Sequence, residues 1–363
     1  VLEDDGGAWA IISCDLCYTN AETVAAIRAA VQQRTEIPPA QVLVVSTHTH
    51  SGPHDLRPQN WDRPLAEMVA DAVEMAYQVR QPARIASGYG FLYGLSINRR
   101  WLDRPIDPGV TVLRVDDANG KLLGLFTNFG NHSVVLGYDN YLLSGDWPGF
   151  ATRKLEADLG DNVTVLFSQG GAGDINPLTE GVRQRLRNGQ TIWSIGRISH
   201  YYGTADDPNN WTVEDRGGGT FAEAETIGHA FAEEVAYVAS RLQSTSPEAL
   251  IWSEQLTINA AADPGEHPST PPPYVMQDEQ PPIADPQNIP AELMILGIGD
   301  LVLVTEPGEV FSETAINLKI HLRALGYKIP ALVSYANGWL LYLPEPAAFS
   351  EGGYEVNWPV TLG

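Results

Sequence analysis

The sequence predicts an α/β fold, a mixed β-sheet flanked by helices. Two observations carry this. Through the first third of the chain, short apolar, β-branched runs alternate with stretches of helical period, the pattern of strands joined by helices. Polar, chemistry-bearing residues then gather directly after those runs, at the strand ends where α/β proteins build their sites. A hydrophobic content of 44% over 363 residues is globular, and one domain is expected across 1–363.

Residues 8–16 read as the first strand. Asn20 is placed to cap a helix running to about Thr35, its side-chain oxygen close to the orphaned amides of the first turn. Residues 42–45 are the next strand. Asp62 and Pro64 open a second helix, and Leu65, Met68, Val69, Ala72, Ala76 and Val79 follow at helical spacing. Residues 83–88, 110–115, 122–128 and 163–167 read as strands, with a helix over about 148–159 before the last. Residues 178–218 are polar and rich in Gly, Asn and Asp, and read as a long irregular insertion. A long amphipathic helix follows over 220–242. Residues 262–290 hold nine prolines, too many for regular structure, and read as a surface loop, a linker or a substrate-shaping lid. The last section reads strand (293–296), strand (301–305), helix (311–325) and strand (331–334). There is no internal repeat.

The balance of charge excludes some partners. A net charge of −23 argues against nucleic acid and anionic membrane surfaces, and lysine occurs only at 121, 154, 319 and 328. No apolar stretch approaches the roughly 20 residues of a membrane span. Val1 opens just ahead of a strand, which leaves room for an upstream segment or a signal. Cys14 and Cys17 have the spacing of a redox pair, but they close an apolar run rather than open a helix, so they are expected to be buried and unreactive.

The densest chemistry lies at 46–53, Ser-Thr-His-Thr-His-Ser-Gly-Pro, directly after Val42-Leu43-Val44-Val45. In an extended segment residues i and i+2 point to one side, so His48 and His50 are expected to face one cavity as two metal ligands, or as one ligand and one acid/base. His54 and Asp55 follow at once. The metallo-β-lactamase pattern His-x-His-x-Asp-His would need Asp at position 52 and His at 53; Gly52 and Pro53 exclude it. Four more segments read as strand-end loops: 128–133, Ser144-Gly145-Asp146, 167–177 and 305–309. The glycine run at 170–173 lacks the Gly-Lys-Ser/Thr ending of a phosphate loop.

Taken in order, Ser46 to Pro53, Ile97-Asn98-Arg99, Asn131-His132, Ser144-Gly145-Asp146, Gly173-Asp174-Ile175-Asn176-Pro177, Pro307-Gly308-Glu309 and Asn337 with Tyr342 resemble the catalytic domain of the neutral/alkaline (non-lysosomal) ceramidases. These are zinc-dependent amidases that release a fatty acid from N-acyl sphingosine. The likeness spans most of 8–355. It implies a zinc site on His48, His132, Glu309 and Tyr342, and a substrate-polarising pair of His50 and Arg99, with Arg100 the neighbour to be told apart. Imidazole and carboxylate suit Zn²⁺, whereas tyrosine is an unusual ligand, so Tyr342 rests on the resemblance. Three departures bear on the substrate. Asn176 stands where the family has its catalytic serine, and asparagine is no nucleophile. Residues 178–218 hold no cysteine, where the family's segment does. The family's C-terminal β-sandwich has no counterpart in the 363 residues.

The function expected is therefore hydrolysis of an amide (N-acyl) bond, in a small or lipid-like substrate, by zinc-activated water. Its alternatives are an ester or phosphoester on the same site, or a binding protein with a degenerate site. Asp146 or Asp174 is expected either to orient a ligand histidine or to cap a helix, and Ser51 and Ser133 are the nearest replacement nucleophiles.

Overall fold

Three sheets pack around one apolar interior, and each contains a parallel pair of strands joined by a crossover helix. The structure, a computed structural model, describes residues 1–53, 63–137, 140–160, 162–187, 219–243, 249–260, 288–351 and 355. The first sheet holds β1 (Leu2–Asp4), β2 (Gly7–Cys14) and β3 (Val42–Ser46), with helix α1 (Ala21–Thr35) carrying the chain from β2 to its parallel neighbour β3. Helix α2 (Leu65–Gln78) follows. The second sheet has the order β4 (Ala83–Phe91), β6 (Gly109–Asp117), β7 (Leu122–Phe129), β8 (Thr164–Gln169), and α3 (Asp146–Leu159) links the parallel β7 and β8. Two short strands outside these sheets, β5 (Ser96–Asn98) and β9 (Ile175–Pro177), pair with each other. After α4 (Glu180–Arg187) and α5 (Phe221–Arg241) comes the third sheet, β10 (Ile251–Ala260), β11 (Ile289–Ile298), β12 (Leu301–Thr305) and β14 (Ile329–Val333). Between β12 and its parallel partner β14 the chain makes β13 (Glu309–Val310) and α6 (Ser312–Ala324); β13 later pairs with β15 (Tyr342–Leu343), ahead of α7 (Pro346–Glu351).

β3 shows why these residues form this element. All five of its side chains are buried, as an unbroken apolar run requires. Leu43 and Val45 face the interior shared with Trp9, Leu113, Phe126, Met294, Leu303 and Val333 of the three sheets. Val42 and Val44 point the other way, onto Val24, Ile27 and Val31 of α1 and Val73 of α2. On the second sheet the outer layer is α3 and α5, where Trp147, Phe129, Phe167 and Phe231 meet edge-on or tilted, with ring centroids 5.0–6.2 Å apart. No helix among the described residues is long and apolar enough to cross a membrane.

Helix ends follow the expected chemistry. Asn20 Oδ1 accepts from Thr23 N at 2.8 Å, and Thr220 with Glu223 forms a capping box at the start of α5. Some boundaries move. Helix α2 starts at Leu65 with Pro64 as its cap, Asp62 lies outside the described residues, and α3 begins at Asp146 rather than 148. The insertion expected at 178–218 opens with helix α4; 188–218 lies outside the described residues. The proline-rich stretch expected to reach 290 ends sooner, because Ile289 and Pro290 already pair in β11; its part at 262–287 lies outside the described residues. Strand β10 was not foreseen: residues 254–259 are exposed on both faces and show no alternation.

Phe231 packs against Phe129, Trp147 and Phe167, and it is fully buried. Phe231→Ala is expected to lower unfolding free energy by about 3–5 kcal/mol in urea titration. A loss below about 1 kcal/mol would mean that the layer of α3 and α5 is not held by this cluster.

Candidate metal centre

β3, β7, β8 and β12 end at the same side of the molecule, and the loops leaving them carry the site. His48 lies two residues beyond β3, His132 three beyond β7, the glycine run directly after β8, and Glu309 four beyond β12. His48 Nε2 is 3.0 Å from His132 Nε2, and Glu309 Oε2 is 3.5 Å from both. These three residues are buried, and their donor atoms all lie within 4.8 Å of one another.

The tautomers follow from the partners. His48 Nδ1 lies 2.6 Å from the Cys17 carbonyl and His132 Nδ1 2.7 Å from the Ala172 carbonyl. A carbonyl only accepts, so each Nδ1 carries the proton and each Nε2 presents a lone pair. Two lone pairs and a carboxylate then converge on one point in a buried site, an arrangement that is repulsive until a cation enters it. Burial, reinforced by the positive charge of Arg99, holds His132 well below the ordinary imidazole value, so a proton is a poor substitute for that cation. Burial also pushes Glu309 up to about 7, with Arg99 acting in the opposite sense. The donor set of two imidazoles and a carboxylate fits Zn²⁺.

Tyr342 stands directly across the β13–β15 ladder from Glu309, and its hydroxyl accepts from Arg99 Nη2 at 3.1 Å. Burial, then the nearby Glu309, keeps this phenol well above its ordinary value. His50 Nε2 reaches to 3.1 Å from His48 Nε2, so His50 shares the centre. The meeting of these two histidines does not come from extended backbone. His48 has φ 62, a left-handed conformation, and its ring stacks on Tyr335 at 4.0 Å. Asp146, the first residue of α3, and Tyr335, Asn337 and Leu341 on the loop after β14 also have positive φ; such strained non-glycine residues gather at functional sites.

Arg99 is buried with its donors engaged. Nε donates to Glu355 at 2.7 Å, Nη1 to Asn176 Oδ1 at 3.2 Å, and Nη2 to the Gly173 carbonyl at 2.6 Å as well as to Tyr342. Burial opposes its charge, but Tyr342, Glu355 and Glu309 hold the guanidinium above its ordinary value. Arg100 turns elsewhere, donating to Glu355 at 2.8 Å and Glu351 at 3.3 Å. Asn176 is tied to Arg99 and sits opposite Ile97 in the β5–β9 ladder.

Of the two roles expected for Asp146 and Asp174, neither residue orients a histidine, which main-chain carbonyls do instead, and both accept from backbone N–H groups at the start of a helix. Asp146 accepts from the backbone N–H of Val135, Leu136 and Trp147, and Asp174 from Ser312 N at the start of α6 and from Asn98 Nδ2. Burial pushes both carboxyls up to about 6. Ser133 Oγ donates to the Thr47 carbonyl at 2.8 Å, and Ser51 Oγ accepts from Asn140 at 2.9 Å. Cys14 and Cys17 are buried, and burial pushes the Cys14 thiol up to about 12, so they do not form a reactive pair. The glycine run holds backbones together: a Cβ on Gly171 would lie 2.9 Å from the Phe311 carbonyl oxygen and one on Gly173 2.3 Å from that of Glu309. His54 and Asp55 lie outside the described residues.

Sequence reasoning missed Tyr335 and Gln169. Tyr335 donates to Glu309 Oε2 at 3.4 Å beneath the His48 ring. Gln169 Nε2 donates to the carbonyls of Thr47 and Asn131 and to Ser133 Oγ, joining the two histidine loops. The only signal for either was a polar or aromatic residue at a strand end.

No protein-family model matches the chain. Neutral ceramidase B of Dictyostelium discoideum is 28% identical over 175 residues, 39% of this chain and 24% of its own length. The neutral ceramidase of Mycobacterium tuberculosis is 27% identical over 173 residues (38% and 27%), and that of Pseudomonas aeruginosa 30% identical over 161 residues (38% and 24%). The matched segment thus spans about a quarter of these curated relatives. The crystal structure of neutral ceramidase from Pseudomonas aeruginosa superposes with a TM-score of 0.70 at 19% identity, over 96% of this chain and 62% of that one. A structure of a ceramidase complexed with C2 gives 0.68 at 20% identity, over 97% and 64%. The chain is thus similar over part of its length to neutral ceramidases, and its α/β fold is the one those structures share.

Gly173→Ala should force β13 away from the loop after β8 and take Glu309 with it. The expected result is a stability loss of about 1–3 kcal/mol and Zn²⁺ affinity weaker by about tenfold or more in competition titration. Gly149→Ala, whose Cβ would come no nearer than 3.9 Å to Arg153, should change neither for the worse. Unchanged metal affinity in Gly173→Ala would show that this contact does not set the site.

Proposed function

We propose that the chain is a zinc-dependent hydrolase of an amide (N-acyl) bond in a lipid-like substrate. The observation that carries this is the convergence of the two unprotonated Nε2 atoms and the Glu309 carboxylate on one buried point. The partial matches to neutral ceramidases support the choice of an amide over an ester or a phosphate.

In this reading His48, His132 and Glu309 hold the metal, and Tyr342 completes the set from its paired position on β15. Bound zinc supplies Lewis acidity and a water activated near neutral pH. His50, whose Nε2 reaches the same centre, donates to the substrate carbonyl as negative charge builds on its oxygen. Arg99 is the other half of the polarising pair and works through Tyr342: its guanidinium fixes the phenol hydroxyl and keeps positive charge beside the developing oxyanion. Asn176 accepts from Arg99 and so positions it. Attack is by water directly. Asn176 has no nucleophilic oxygen, and the hydrogen bonds of Ser51 and Ser133 run to a side-chain amide and a carbonyl rather than to a base.

Elemental analysis combined with turnover of a short-chain N-acyl amide tests the assignment. Wild type should hold one zinc and hydrolyse the amide. His48→Ala with His132→Ala should lose both. Zinc retained in that double variant would sink the ligand assignment.

For His50→Ala and Arg99→Ala, full zinc with kcat lower by about 10²-fold and KM little changed is expected. An ordinary exposed ion-pair arginine would cost under about 1 kcal/mol. Wild-type kcat in Arg99→Ala, or zinc loss in His50→Ala, would show these two roles to be wrong.

A further inference from the structure

Among the described residues a second group of donor atoms adjoins the proposed zinc ligands. Cys17, His48 and His50 each offer one donor, and these three atoms lie within 4.8 Å of one another, as do those of His48, His132 and Glu309. The two groups meet at one ring, that of His48. Cys17 Sγ lies 3.7 Å from His48 Nδ1, and His50 Nε2 lies 3.1 Å from His48 Nε2. Cys17 and His48 are buried, whereas His50 is half-buried, so the group is open from that side.

The separation suits one cation. A tetrahedral ion bound to sulfur at about 2.3 Å and to nitrogen at about 2.0 Å holds the two about 3.6 Å apart. The donor types differ between the groups. Two imidazoles with a carboxylate suit a borderline cation such as Zn²⁺, and Glu309 brings negative charge to it without a thiol giving up a proton. Two imidazoles with a thiolate suit a softer cation, whose bond to sulfur offsets the loss of the thiol proton.

The His48 ring cannot serve both groups at once. A neutral imidazole has one lone pair and one N–H. When Nε2 faces His132 and Glu309, Nδ1 carries the proton and donates to the Cys17 carbonyl at 2.6 Å. A cation on Cys17 Sγ takes Nδ1 instead. The ring proton then moves to Nε2 by way of water, the thiol proton leaves to water, and the carbonyl loses its donor. Nε2 is thereby closed to zinc.

We infer that Cys17, His48 and His50 form a second cation position, selective for thiophilic ions such as Cd²⁺, whose filling excludes zinc from the first. This rests on the zinc reading above only for the exclusion. It adds a means of regulation: an ion held here also engages His50, the imidazole assigned to the substrate carbonyl.

Titration of the metal-stripped chain with Cd²⁺, followed by the thiolate-to-cadmium charge-transfer absorption in the ultraviolet, tests it. Wild type should show the band, saturating at one equivalent, and excess Zn²⁺ should remove it. Cys17→Ser should lose the band and bind Cd²⁺ about tenfold or more weaker, with zinc affinity unchanged. Cys14→Ser should keep the band, and His132→Ala should keep it while zinc binding falls. His50→Ala should weaken Cd²⁺ binding alone, which guards against a Cys17 variant that simply misfolds. No band in wild type, a band that survives in Cys17→Ser, or a band that persists once zinc is bound would overturn the inference. So would an equal fall of zinc and cadmium affinity in both Cys17→Ser and His50→Ala. A band that depends on Cys17 in a chain that takes up no zinc would leave this position standing and count against the zinc reading alone.

Discussion

Where β3, β7, β8 and β14 end, their backbones need hydrogen-bond partners that no further strand supplies, and a buried amide left unpaired is costly. Three side-chain amides meet this need. The side chain of Asn337 accepts from Val44 N at 3.0 Å while its backbone N–H donates to the Val44 carbonyl at 2.8 Å, the residue standing in for a strand neighbour. Asn128 Nδ2 donates to the Leu332 carbonyl at 2.9 Å, tying the second sheet to the third, and Gln169 ties the end of β8 to the loops after β3 and β7. Polar residues placed where the strands run out thus close the gap between three sheets. The cluster of His48, His132 and Glu309 sits on the loops they fasten, and its spacing follows from that stitching.

Charge is balanced by the same economy. Arg99 and Arg100 are both buried and share the two oxygens of Glu355, with Arg99 also facing Glu309 and Tyr342. A buried guanidinium is tolerated only when its donors and its charge are matched, and removing one partner leaves the other stranded. The centre therefore comes with a fixed positive neighbour that offsets its carboxylate.

Much of this was legible in the sequence, for definable reasons. The run at 42–45 declares a strand because it is β-branched and bounded by polar residues, and Asn20 declares a helix start because its chemistry suits a cap. His48, His132 and Glu309 are brought together as the ordered motifs led one to expect. The strands β5, β9, β13 and β15 are only two or three residues long, too short for any period to register, yet they align Asn98 with Ile175 and Glu309 with Tyr342. Backbone conformation is equally hidden: nothing in the letter His announces φ 62, so the meeting of His48 and His50 was expected for the wrong geometric reason. Tyr335 reads as a core aromatic until its ring is seen stacked on His48.

The two histidines owe their orientation to the carbonyls of Cys17 and Ala172. A main-chain oxygen is present whatever side chain its residue bears. Positions 17 and 172 can therefore drift under mutation without turning the imidazoles, provided that the loop path survives. A centre aimed by carboxylates would lose its aim with one substitution. Here inheritance of the site is inheritance of a backbone trace, which allows it to persist where little of the letter-by-letter likeness to other chains remains.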